Sequence, residues 1–205
     1  MTEYRLHGPP GTGKTSALAN RWVPKAVERF GPKKVVICSL TRTAAAEIAT
    51  RDLPIPEGNV GTLHALAFRS LLRPKIAEGN IAAWNELEPA FKLSGGKPSM
   101  DEPEIRSSAV NRGDELMSLA QVYRHNRIPR SAWRDDVLGF QKRWEGWMDS
   151  ECLVDFTGLM ETALEQVSYA PGDPSVFIMD EAQDCSVLEL ELVRKWNRNA
   201  EYAVL

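Results

Sequence analysis

Residues 8–15 read Gly8-Pro9-Pro10-Gly11-Thr12-Gly13-Lys14-Thr15. They follow a short strand candidate, Tyr4-Arg5-Leu6-His7, and open a helical run from Lys14 to Phe30 that Gly31-Pro32 ends. The stretch matches G-x-x-x-x-G-K-[ST] in the strand–turn–helix setting that gives the pattern its meaning. Glycines let successive backbone N–H groups converge on one anion, and the helix start adds partial positive charge. Lys14 supplies a cation for β- and γ-phosphates, and the Thr15 hydroxyl is a ligand for Mg²⁺. This cradle, from Gly8 to Thr15, implies a bound nucleoside triphosphate.

Working outward, Val35-Val36-Ile37-Cys38 is a short continuous apolar run, the mark of a strand buried on both faces. A helix is expected from Ala44 to Arg51, a strand over Val60–Thr62 and a helix from His64 to Leu72. Alternation of strand and helix points to a parallel α/β sheet flanked by helices. From Arg73 to Asp149 the pattern breaks into short helical pieces, with a loop expected near Ser94–Pro103. We read 73–149 as a mostly helical insertion in a domain formed by 1–72 and 150–205. A helix from Asp155 to Tyr169, a strand over Ser175–Met179 and a helix capped by Ser186 with Glu189 follow. Tyr202–Leu205 reads as a last strand.

Val176-Phe177-Ile178-Met179 runs into Asp180-Glu181, an apolar strand ending in two carboxylates. At the carboxyl edge of a parallel sheet such residues face the ligand crevice. Asp180 would hold Mg²⁺, and Glu181 would orient and deprotonate the attacking water. Lys14 and Asp180 lie 166 positions apart. They meet only if the intervening helical segment stands off the sheet.

Composition bounds the rest. The chain has 205 residues, 43% of them apolar, enough for a real core and against disorder. No apolar run approaches the ~20 residues of a membrane span, and the N-terminus lacks a secretory h-region. Cys38, Cys152 and Cys185 are too far apart for a disulfide framework or zinc site, which fits a reducing cytoplasmic setting. Net charge is −3, but residues 1–75 carry 12 basic and 5 acidic side chains and residues 151–205 carry 3 and 11. That asymmetry leaves room for a local basic face. Gln121 to Arg134 interleaves Arg124, Arg127, Arg130 and Arg134 with Tyr123, His125 and Trp133 and has no acidic residue. Such a run suits nucleic acid, with Arg124 and Arg127 as candidate contacts, or an ordinary solvated helix face. Phe140, Trp144 and Trp147 share one helix face and read as core.

Five ordered segments together resemble superfamily-one DNA helicases of the UvrD/Rep/PcrA type. They are the phosphate cradle, Leu40-Thr41-Arg42-Thr43-Ala44-Ala45-Ala46-Glu47-Ile48, Val60-Gly61-Thr62-Leu63-His64, Leu153-Val154-Asp155-Phe156, and Asp180-Glu181-Ala182-Gln183-Asp184. The resemblance spans the whole chain and implies a RecA-like P-loop domain with its helical insertion. It implies ATP and Mg²⁺ held by Gly11, Thr12, Gly13, Lys14, Thr15 and Ser16, with Asp180 and Glu181 in the roles above. Gln183 would contact the γ-phosphate or attacking water, and Thr41, Arg42, Thr62 and His64 would line the path of single-stranded or forked DNA. It implies 3′–5′ travel and a second RecA-like domain as partner, and no membrane. The chain departs from the family where Thr43 stands for the common lysine and Leu63 for a phenylalanine. Only seven residues precede Gly8, so the family's glutamine-bearing adenine motif is absent. The sequence stops at Leu205, before the family's second domain and its arginine fingers.

Two rival readings stay open: a DNA-processing nuclease or recombination ATPase on the same core, and an ATP-gated DNA-binding module with negligible turnover alone. A small-molecule kinase accounts for neither Gln183 nor the segment after Leu40.

Overall fold

The computed structural model describes residues 2–9, 11–95 and 111–205. The loop expected near Ser94–Pro103 lies, from residue 96 onward, outside the described residues. In chain order the core begins with β1 (Thr2–Tyr4), α1 (Lys14–Ala17), α2 (Val23–Phe30), β2 (Val35–Ser39), α3 (Arg42–Ala49), β3 (Val60–Thr62) and α4 (Leu63–Ser70). Next come β4 (Lys75–Ile76), α5 (Ile81–Leu87), α6 (Arg112–His125), α7 (Asp135–Glu151) and β5 (Leu153–Val154). The chain then returns to the core with α8 (Phe156–Gln166), β6 (Val176–Met179), α9 (Val187–Asn197) and β7 (Tyr202–Val204).

Five strands form one parallel sheet in the order β1-β7-β6-β2-β3. Side chains alternate between its faces. Val36, Cys38, Phe177 and Met179 pack against α4, α8 and α9 on one side. Val35, Ile37, Val176 and Ile178 pack against Leu18, Val23 and Ile48 on the other. All five residues of β2 and all four of β6 are buried, which is why these strands read as unbroken apolar runs.

The expected helix from Lys14 to Phe30 holds as one path but not as one helix. Leu18–Trp22 forms a π turn between α1 and α2. Pro24 has no N–H to continue the α ladder, and the wider turn absorbs the break just before it. At the end of α4, Leu72 and Arg73 both take positive φ (59° and 60°), and the Arg73 N–H reaches back to the Phe68 carbonyl at 3.0 Å. Pro74 then prevents further helix.

The segment between α4 and α8 has its own core. Trp84 packs edge-on against Trp144 (5.0 Å) and Phe140 (5.9 Å), with Trp147 at 5.6 Å, so the three aromatic residues expected in the core are there. What the sequence pattern does not show is the neck. Here β4 and β5 lie side by side as a two-stranded parallel ladder, Lys75 opposite Leu153 and Ile76 opposite Val154. No helix among the described residues is long and apolar enough to cross a membrane.

Candidate nucleotide site

The loop after β1 folds because two glycines take conformations other residues resist: Gly11 at φ 78° and Gly13 at φ 79°. Gly8 is required for space, since a Cβ there would stand 2.7 Å from Thr12 Oγ1. The Thr12 hydroxyl in turn donates to the Pro9 carbonyl at 2.8 Å. Lys14 curls its ammonium over the loop and donates to the Gly8 carbonyl at 2.9 Å. The cation is thus held within the ring of backbone that it would share with phosphate oxygens.

Across the sheet, the Asp180 N–H donates to the Cys38 carbonyl at 2.8 Å, carrying the β2–β6 ladder one residue further. That bond fixes Asp180 at the strand's carboxyl end, where its side chain accepts from Thr15 Oγ1 at 2.9 Å. Asp180 is buried, and burial, with the Glu181 charge beside it, pushes its carboxyl above the usual range. The Thr15 hydrogen bond and the Lys14 charge act the other way. A buried carboxylate and a hydroxyl converging beside a lysine suit a hard cation with oxygen ligands. Glu181 follows at φ 56°, in the left-handed region. The Gln183 amide donates to the Glu181 carboxylate and, at 3.4 Å, to Asp184. Lys14 and Thr15 thus open α1 beside the end of β6, where Asp180, Glu181 and Gln183 follow the strand.

One residue that sequence reasoning missed joins them. Arg51, just past α3, donates to Ser16 Oγ at 2.9 Å and pairs with Glu47 at 2.5 Å. Its only sequence signal is the Glu47–Arg51 spacing on a helix, which is common on any solvated face.

The expected DNA contacts are placed differently from one another. Thr41 caps α3 by accepting the Ala44 N–H at 3.2 Å, which leaves Arg42 exposed in that helix's first turn. Thr62 is buried and caps α4 through the Ala65 N–H at 3.1 Å. His64 is 1% exposed and packed into that helix's inner face, which corrects its reading as a contact on an open path. Arg124 is corrected too. Its side chain is 5% exposed and donates to Asp155 at 2.6 and 2.9 Å and to Glu161 at 2.7 Å, so it faces the interior. Arg127 remains at the surface at φ 55°, paired with Glu191 at 3.2 Å. Arg130 and Arg134 pair with Glu145 and Asp136. The run without acidic residues thus finds its carboxylates elsewhere in the fold.

A parallel sheet with a glycine-built phosphate cradle and a strand-end carboxylate bonded to the cradle's threonine defines a P-loop nucleotide-binding domain. Residues 2–205 match the family model of an AAA domain, one found in UvrD/Rep-like superfamily-one helicases, and the chain belongs to that family. Among curated proteins no match is found. The family implies a nucleotide and, usually, Mg²⁺. The residues present fit both: Lys14 adds charge beside the glycine-built loop, and Thr15 and Asp180 present oxygen donors.

Proposed function

We propose that this domain is the ATP-binding, DNA-dependent ATPase core of a UvrD-like 3′–5′ DNA helicase. Paired with a second RecA-like domain, it would couple hydrolysis to movement along single-stranded DNA. The observation that carries the reading is the Thr15–Asp180 hydrogen bond, which joins the phosphate cradle to the strand-end carboxylate. In this reading Thr15 and Asp180 would form the metal-binding pair, Glu181 the base and Gln183 the reporter amide. Lys14 and the loop N–H groups would bind the β- and γ-phosphates, and bound Mg²⁺ would neutralise charge developing between them. Glu181 would orient the attacking water and take its proton, while Gln183 would hold the water or the terminal phosphate in line. Thr41 and Arg42, at the start of α3, would be the DNA contacts; Arg51, just past the end of that helix, holds Ser16 of the nucleotide site. Polarity of travel rests on the sequence resemblance.

A second reading has its own support. The Gln183 amide lies on the Glu181 carboxylate and keeps the base occupied, which favours an ATP-gated DNA-binding module that turns over little alone. An arginine supplied from outside typically adds ~10³–10⁵ in rate to P-loop enzymes. The deciding experiment is steady-state ATPase with Mg²⁺, with and without single-stranded DNA, using Glu181→Gln as the blank. DNA-stimulated turnover supports the ATPase core. ATP binding with turnover no higher than the blank supports the gated module.

A further inference from the structure

Helix α6 ends on two consecutive buried residues, Arg124 and His125, and the ion pairs account only for the first. The His125 ring, 6% exposed, has a partner at each nitrogen. Nδ1 stands 3.1 Å from Ser186 Oγ and Nε2 stands 3.3 Å from Thr157 Oγ1. Ser186 already accepts the Glu189 N–H as the cap of α9, so its own proton is available for Nδ1. With Ser186 donating to Nδ1, a neutral ring would carry its proton on Nε2, directed at Thr157. Burial favours that neutral form, as does Arg124 next to it on α6. Glu189 on α9, with Glu161 and Asp155 on the α8 side, acts against it.

Ser186 is where the loop from β6 ends. That loop leaves β6 at Asp180, turns at Glu181, makes a 3₁₀ turn over Ala182–Asp184 and closes on the Ser186 cap. Its first end is fixed by the ladder bond to Cys38, and its far end by a histidine from the helical segment. Ala182 and Cys185 also rest on the core and Glu189 holds the Ser186 N–H, while Gln183 and Asp184 are exposed and their side-chain bonds stay within the loop.

We propose that His125 is a positioning residue for this loop: by bracing Ser186 it fixes where Glu181 and Gln183 stand relative to the phosphate cradle. The consequence for turnover rests on the ATPase reading above, but the bracing itself is tested without activity. The measurement is amide hydrogen exchange on the whole chain with Mg-ADP added. In His125→Ala and Ser186→Gly, which share the loss of the His125–Ser186 hydrogen bond, amides of residues 181–186 exchange about five- to ten-fold faster. Residues 11–16 keep their exchange rates, which reports an intact cradle. Ser186→Gly sits at a half-exposed cap where glycine costs little, so it keeps the test open if the histidine variant fails to fold.

Conservative variants separate bracing from mere filling. Asparagine places its amide oxygen near the position of Nδ1, whereas glutamine reaches toward Nε2 and Thr157. His125→Asn keeps loop protection within about two-fold of the parent and His125→Gln does not. If the domain hydrolyses ATP, kcat falls in the Gln variant while KM for ATP stays within about two-fold. Unchanged exchange at 181–186 in Ser186→Gly, or equal rescue by Asn and Gln, overturns the proposal. An absence of turnover in the parent chain would refute only the ATPase reading.

Discussion

The Arg124 guanidinium grips both oxygens of Asp155, at 2.6 and 2.9 Å, and this pair ties the helical segment to the core. Asp155 also caps α8 through the Gly158 N–H at 2.6 Å and accepts from Trp144 Nε1 at 2.8 Å. Removing one partner leaves a buried charge uncompensated, at a cost of about 3–5 kcal/mol. Arg124→Ala should therefore lower the unfolding free energy by that order in denaturant titration. Arg124→Lys should rescue little, because an ammonium cannot span two carboxylates in a fork.

Lys14→Ala should reduce affinity for a fluorescent ADP by at least about ten-fold, since it removes the only full charge in the cradle that can meet phosphate. Asp180→Asn should leave metal-free nucleotide binding within about two-fold and lose most of the Mg²⁺ enhancement. Titrations with and without Mg²⁺ separate the two.

Glu78 gives a pH dependence with a definite sign. Burial, with the Asp155 charge nearby, raises its carboxyl to about 8, against the hydrogen bond from the Phe156 N–H. The folded state therefore binds a proton that the unfolded chain releases near the ordinary carboxylate pKa. Its contribution is full below about pH 4.5 and is lost as pH rises through about 8. Glu78→Gln keeps the acceptor for Phe156 and removes the charge. Thermal unfolding should show it more stable than the parent at pH 8.5, by about 2 kcal/mol, with the difference shrinking toward pH 5.

Gly113 opens α6 against backbone: a Cβ there would meet the Lys92 carbonyl at 2.2 Å and the Phe91 carbonyl at 2.5 Å. Gly113→Ala should destabilise by about 2–4 kcal/mol, as for other overpacked sites that cannot give way. Limited proteolysis should show cleavage concentrated between residues 77 and 152, with nucleotide affinity preserved.

The sheet was legible because its central strands are buried on both faces and so carry unbroken apolar runs. The capping box at Ser186 and Glu189 was legible because capping is local, fixed by residues three apart. The cradle was legible for the same reason. Strand β1 was placed late, at Tyr4–His7 rather than Thr2–Tyr4, because an exposed edge strand has no such apolar run. The two-residue strands β4 and β5 left no periodicity to read. Arg124 and His64 were misplaced because charge and aromatic content say nothing of which way a helix faces. Their burial is decided by Asp155, 31 positions away from Arg124, and by the packing of α4 beneath the sheet. Arg51 and His125 were invisible for the same reason, since their partners Ser16 and Ser186 are distant in sequence.

The short ladder of Lys75–Ile76 against Leu153–Val154 has an evolutionary and engineering consequence. Chain entering and leaving the helical segment passes through adjacent strands about 4.8 Å apart, so its two covalent connections to the core lie side by side. Because those strands run parallel, whatever joins them must double back along their length, which takes roughly a dozen residues at least. The position therefore has the geometry of a socket, and any module grafted there must be long enough to make that return. A graft that omits Arg124 and His125 inherits the socket without the contacts that reach α8 and α9.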